Sequence, residues 1–164
     1  MIFVALLSAH SFASAFEFGG GGGFVTQGDD RLSPATHAWV QGGRVLFSAS
    51  AMGEKNTSYS QQIVFPNVSY IAYPAKSKSI QASVGLGGMI SYTRLFKPDK
   101  ESADLQKLQR SAGLAFGLRW TPKLSRRLNY RLSWDSVFIP PGASVLYLTF
   151  GHMQSVSTGL GWEF

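Results

Sequence analysis

The chain has no cysteine, which excludes a disulfide framework and thiolate chemistry. Charge is sparse: 15% of its 164 residues are Asp, Glu, Lys or Arg, against roughly 25% in an average soluble domain. No apolar run approaches the ~18 residues that a membrane-crossing helix needs. The histidines His10, His37 and His152 are scattered, so no metal site or cofactor is expected. The run Gly19 to Gly23 lacks the following lysine and the strand–loop–helix setting of a phosphate-binding loop. It reads instead as a slim strand that lets neighbours approach closely.

What is present is glycine (18 residues) and aromatic side chains (13%). A membrane-spanning chain of this composition has to be a closed barrel, because only helices and barrels satisfy their backbone groups in lipid. The net charge of +6 and pI near 9.8 leave nucleic acid as an electrostatic option. The cations are dispersed among alternating strands, however, and no nucleic-acid partner is expected.

Period-two alternation recurs along the chain, whereas helical periodicity does not. From Ser111 to Trp120, Ala112, Leu114, Phe116, Leu118 and Trp120 share one face and small residues the other. From Arg127 to Phe138, one face carries Leu128, Tyr130, Leu132, Trp134 and Phe138. From Ile80 to Phe96, one face is Ile80, Ala82, Val84, Leu86, Gly88, Ile90 and Tyr92. Turn residues separate these runs at 27–30, 42–43, 52–56, 73–74, 97–100, 121–123 and 140–142. The spacing predicts eight strands at 16–27, 34–41, 44–52, 60–73, 79–96, 107–120, 126–139 and 144–164. Pro66 and an apparent change of parity from Ile63/Phe65 to Val68/Tyr70 predict a bulge within the fourth strand. An alternative division makes 35–52 one strand and places a turn at Gly151 to Gln154.

The last ten residues, Ser155 to Phe164, put Val156, Thr158, Leu160, Trp162 and Phe164 on one face and Gly, Ser and Glu163 on the other. This strand resembles the C-terminal strand of bacterial outer-membrane β-barrels, which ends in Phe after apolar residues at every second position. The whole of 16–164 resembles the small OmpA- or OmpX-type barrels. The resemblance implies an all-β, eight-stranded antiparallel up-and-down transmembrane β-barrel in the bacterial outer membrane. It also implies that Val156, Thr158, Leu160, Trp162 and Phe164 form a signal for the barrel-assembly machinery. Lipopolysaccharide and outer-membrane lipid are the expected neighbours, and a monomer is the expected state. Residues 1–15 are expected to be an export signal, with an apolar run Ile2 to Leu7 and a small-x-small site Ala13-Ser14-Ala15. The basic start of such signals is missing, as in a truncated chain or one with a misplaced start.

Short turns of such barrels face the periplasm and long loops the outside. Counting back from Phe164, the segments 28–33, 53–59, 97–106 and 140–143 are expected outside, and 42–43, 74–78 and 121–125 in the periplasm. Trp39, Tyr73, Trp120, Trp162 and Phe164 then gather at the periplasmic membrane interface. Glu17, Arg44, Arg119, Arg127, Arg131, Asp135 and Glu163 are expected to point inward as an ion-pair network that plugs the lumen, since eight strands leave an interior only just wide enough for side chains. Glu163 is expected to face Arg119 and Arg127. No catalytic residues are expected. An acyl hydrolase acting on lipid A would need a nucleophile beside a base, and His152 and Ser155 fall on opposite faces. A minor small-solute pore is the remaining alternative to a structural or surface-interaction role.

Overall fold

A computed structural model describes residues 16–27, 32–55, 57, 59–74, 79–96, 108–139 and 151–164. They form eight strands: β1 (Phe16–Gln27), β2 (Leu32–Gly42), β3 (Val45–Lys55), β4 (Tyr59–Pro74), β5 (Ile80–Leu95), β6 (Gln109–Trp120), β7 (Leu128–Ile139) and β8 (Gly151–Glu163). Each pairs antiparallel with its neighbours in sequence, and β1 pairs with β8, so the sheet closes into a barrel. The expected export signal at 1–15 lies outside the described residues, as do the expected loop 97–106 and the segment 140–150 that was to hold a turn and the start of the last strand.

The alternation seen in the sequence becomes the inside and outside of the wall. Phe47, Val68, Leu86, Leu114, Leu132 and Leu160 all face outward and are exposed. Among the described residues no helix is long and apolar enough to cross a membrane. The strands run 11 to 16 residues, more than the roughly 9–11 that a tilted strand needs to cross a hydrocarbon layer.

Two ends can be distinguished. The terminal end carries Phe16, Phe164, the turns β2–β3 and β6–β7, and the end of the β4–β5 ladder at Pro74↔Gln81; the opposite end of the wall is the loop end. At the terminal end Gly43 adopts a φ of 59°, the left-handed region that glycine tolerates, and Gly43 and Arg44 make a tight two-residue turn. The single long strand 35–52 is therefore not formed, and Gly151 to Gln154 lie within β8 rather than in a turn.

The bulge sits elsewhere than expected. β4 keeps one register against β3 from Val45↔Tyr70 to Lys55↔Ser60, with Pro66 opposite Ala49. The register shift against β5 lies between Ile71 and Tyr73, where Ala72 and Tyr73 both face outward. The apparent parity change has a different cause. Ile63, Phe65, Asn67 and Ser69 all point inward, and the lumen itself changes from apolar at the loop end to polar at the terminal end. Val25, Met52, Ile63, Phe65, Met89, Val137, Ile139 and Met153 form that apolar cluster.

Candidate functional site: the charged lumen and the apolar outer wall

Inward positions near the terminal end bring four charged side chains together. Glu17 is on β1, Arg119 on β6, and Arg131 and Asp135 on β7. Arg119 is 2% exposed and Arg131 1%. Buried charges persist only when paired and hydrogen-bonded, and each guanidinium here has its own carboxylate. Arg131 Nη2 donates to Glu17 Oε1 at 3.0 Å and to Gln41 Oε1 at 2.6 Å. Arg119 pairs with Asp135 through Nη2 and donates from Nη1 to Ser83 Oγ at 2.6 Å. Glu17 also accepts from Asn129 Nδ2 at 3.0 Å. Two guanidiniums and two carboxylates leave the cluster formally neutral.

Glycine makes the room. A Cβ on Gly117 would meet the Asp135 carboxylate and the Arg119 guanidinium, and one on Gly161 would meet Glu17. Narrow lumens can hold long side chains only where facing positions have none.

Trp39 lies inside the barrel, against the expectation from the sequence. It is 3% exposed and faces the lumen, not the membrane interface, and its indole Nε1 donates to Glu17 Oε1 at 2.8 Å. A Cβ on Gly19 or Gly159 would strike its ring. The glycine stripe of β1, with Gly159 of β8 opposite, thus vacates the volume that the indole fills. Beside it His37 Nδ1 lies 2.8 Å from Ser50 Oγ.

Three expected members of the network are elsewhere. Arg44 belongs to the β2–β3 turn, is exposed and donates to Tyr70 Oη at 3.2 Å. Arg127 stands in the β6–β7 turn, exposed, because that turn is held by Ser125 Oγ accepting from Leu128 N at 3.1 Å and the strand begins only at Leu128. Glu163 lies opposite Glu17 in the β1–β8 ladder, but its carboxylate pairs with Lys123 Nζ at 2.8 Å at the rim, away from Arg119 and Arg127.

On the outer wall Tyr73, Trp120, Trp162 and Phe164 are exposed at the terminal end. Phe18 stacks on Phe164 with centroids 5.4 Å apart, and Trp120 meets Tyr130 edge-on at 6.1 Å. Val156, Thr158, Leu160, Trp162 and Phe164 all face outward. A second aromatic set, Phe24, Tyr92, Phe96 and Phe138, lies exposed at the loop end. The expectation named only one girdle. The signal for the other is the outward parity of β1, β5 and β7, followed to their loop ends.

One polar group interrupts the outer wall. Ser136 Oγ lies 2.7 Å from His152 Nε2, and the His152 ring stacks on Phe138 at 4.5 Å. Gln154 Nε2 is 3.5 Å from His152 Nδ1. Ser155 is on the other face of β8, so His152 finds its serine across the ladder rather than along its own strand.

No family model matches the chain, and the comparison with curated proteins found no match. Solved structures do. Neisserial surface protein A (NspA) matches at a TM-score of 0.56 and 10% identity, over 91% of this chain and 97% of that one. Ail, the attachment invasion locus protein of Yersinia pestis, matches at 0.55 and 11%, over 92% and 97%. The outer membrane protein OprG from Pseudomonas aeruginosa matches at 0.56 and 16%, over 93% and 96%. The chain has the fold of the eight-stranded outer-membrane β-barrels.

Proposed function

We propose that this chain is an integral outer-membrane barrel with a structural or surface-interaction role, such as envelope integrity, adhesion or defence, and a lumen closed by its own side chains. The observation that carries the reading is the inversion of a soluble protein's surface. Large apolar side chains cover the outside on every strand, while buried ion pairs and an apolar cluster occupy the inside. A contiguous apolar surface of this size marks contact with lipid. The aromatic sets at the two ends fit the two membrane interfaces. The outward face of β8 is read as the assembly signal, and the barrel as a monomer amid lipid and lipopolysaccharide.

Closure of the lumen is supported by the cavity left between His37, Ser50, Phe65, Asn67 and Asp135, about 20 Å3, which is room for roughly one water. Similar folds serve at surfaces: one neighbour is named a surface protein and another an attachment protein. A hydrolase built on Ser136 and His152 is the rival. It requires an acyl group to reach the Ser136 oxygen, and Ser136 is 1% exposed.

The test is to refold the protein in vesicles and record three properties. The reading expects heat-modifiable gel mobility, no discrete conductance steps in planar bilayers, and an unchanged lipid A acyl pattern by mass spectrometry in cells that carry it. Stable openings would refute the closed lumen, and a shortened acyl pattern the non-catalytic role.

A further inference from the structure

The turns at the terminal end carry charge of one sign. Arg44 stands in the β2–β3 turn, and Lys123, Arg126 and Arg127 stand in the β6–β7 turn, all four exposed. Neither turn contains Asp or Glu. The sequences that connect β1 to β2 and β5 to β6 differ, with Asp29, Asp30, Asp99, Glu101 and Asp104 mixed among their cations. The luminal charges cancel in pairs. Among the described residues of the terminal rim the one acidic side chain is Glu163, and it holds Lys123. Arg44, Arg126 and Arg127 have no acidic side chain beside them there.

Backbone hydrogen bonds close the β6–β7 turn. Leu124 N and Ser125 N both donate to the Leu128 carbonyl, at 2.8 and 3.0 Å, and Tyr130 N donates to that of Pro122 at 3.0 Å. Leu124, between the cations, is 58% exposed. Trp120 precedes the turn on the outer wall. Arg44 is held another way. Its Nη1 donates to Tyr70 Oη at 3.2 Å, its guanidinium carbon lies 6.0 Å from the centre of that ring, and Tyr70 belongs to the outer wall. The cation therefore lies along the flank of the barrel, not across its mouth.

These features select a partner. Guanidiniums grip phosphate oxygens through paired N–H donors. A phosphate carried by a lipid would lie at the aromatic level of Trp120 and Tyr70, with an acyl boundary for Leu124 to enter; a soluble polyanion would use neither. A headgroup with its own ammonium brings a competing cation, whereas a net-anionic headgroup leaves its phosphate charge to the protein. We propose that the terminal rim binds the headgroups of anionic phospholipids of the phosphatidylglycerol type in the adjoining leaflet. Arg126 and Arg127 hold one such lipid and Arg44 another, because the two turns stand on opposite sides of the closed barrel. The proposal rests on the membrane reading above.

The test uses the protein that keeps Trp120 as its sole tryptophan, refolded in phosphatidylcholine vesicles that contain brominated phosphatidylglycerol or brominated phosphatidylcholine. Quenching is expected to show the anionic lipid enriched about five-fold beside Trp120, the factor that one Lys or Arg contributes near an anionic surface. Arg126→Gln/Arg127→Gln should remove the enrichment, and Lys55→Gln, near the loop end, should leave it. Heat-modifiable mobility checks that each variant is folded. Should the double variant not fold, the parent in concentrated potassium chloride serves instead, since salt screens exposed charges and should remove the enrichment too. Equal quenching by the two lipids overturns the proposal alone. Loss of the enrichment in inorganic phosphate, but not in chloride of equal ionic strength, makes the rim a site for free phosphate and overturns lipid as its occupant. No quenching by either lipid overturns the membrane reading and the proposal with it.

Discussion

Arg131 lies over the indole of Trp39, its guanidinium carbon 4.7 Å from the ring centroid, with both side chains enclosed by the barrel wall. A desolvated cation–π contact contributes about 2 kcal/mol, and here it also fixes which tryptophan is hidden from lipid. Of the four tryptophans, Trp120, Trp134 and Trp162 are exposed on the outer wall. Variants that keep one tryptophan each, folded into vesicles of brominated phospholipid, should separate them. The fluorescence of Trp120, Trp134 and Trp162 is expected to be strongly quenched and that of Trp39 nearly untouched. Quenching of Trp39 to the level of Trp120 would place it on the lipid face after all.

Glu17 is the acceptor on which Trp39, Asn129 and Arg131 converge. Removing one partner of a buried pair strands the other charge, at about 3–5 kcal/mol. Glu17→Ala is expected to lower the unfolding free energy in urea-titrated vesicles by that amount, and Glu17→Gln by less. The double variant Glu17→Ala/Arg131→Met should recover much of the loss, because no charge is left unpaired. No difference between Glu17→Ala and the parent would mean that the pair does not form in the membrane.

Neighbouring glycines of β1 should respond in opposite ways. A Cβ on Gly21 would enter the backbone of Thr158, whereas one on Gly22 meets only the Ala35 carbonyl at 3.7 Å, an ordinary contact. Gly21→Ala forces the wall apart and is expected to cost at least the ~1–3 kcal/mol of overpacking. Gly22→Ala adds a methyl to the lipid face and should be neutral. The heat-modifiable fraction on unboiled gels reads both. Equal folding of the two variants would contradict the close β1–β8 approach.

Phe164 should matter more for insertion than for stability. Its ring stacks on Phe18 at the rim and is otherwise exposed, so Phe164→Ala should refold in detergent with a loss of about 1 kcal/mol. In cells the same variant is expected to reach the outer membrane several-fold less, measured by fractionation. Unchanged cellular levels would remove the residue from the assembly signal.

The strand count, the closed order and the faces of β5 to β8 were legible because those strands alternate large apolar with small polar residues without interruption. The early strands misled for a physical reason. Period two reports which residues share a face, but not which face meets lipid. A lumen taken as polar throughout sends Trp39 outward and turns the inward Ile63 and Phe65 into a parity break at Pro66. Neither error survives the finding that the loop-end half of the lumen is apolar. Arg44 and Arg127 stand at strand boundaries, and counting such turn residues as strand sends both into the lumen. One residue of boundary separates an inward position from an exposed turn. Arg131 and Asp135 sit inside β7, away from its ends, and Glu17 and Arg119, though one residue from the ends of β1 and β6, are still held in paired ladders that fix their direction.

The Glu17–Arg131 pair also bears on the order of events during folding. Glu17 is on the first strand and Arg131 on the seventh, with β8 between them, so the two meet only when the sheet has joined its ends. Until then Arg131 lacks both Glu17 and Gln41, which lies on β2 across the same seam. Seam formation is thus the step that neutralises the interior. An unclosed sheet carries an unsatisfied cation facing its own cavity, which makes partial assemblies electrostatically distinguishable from the finished barrel.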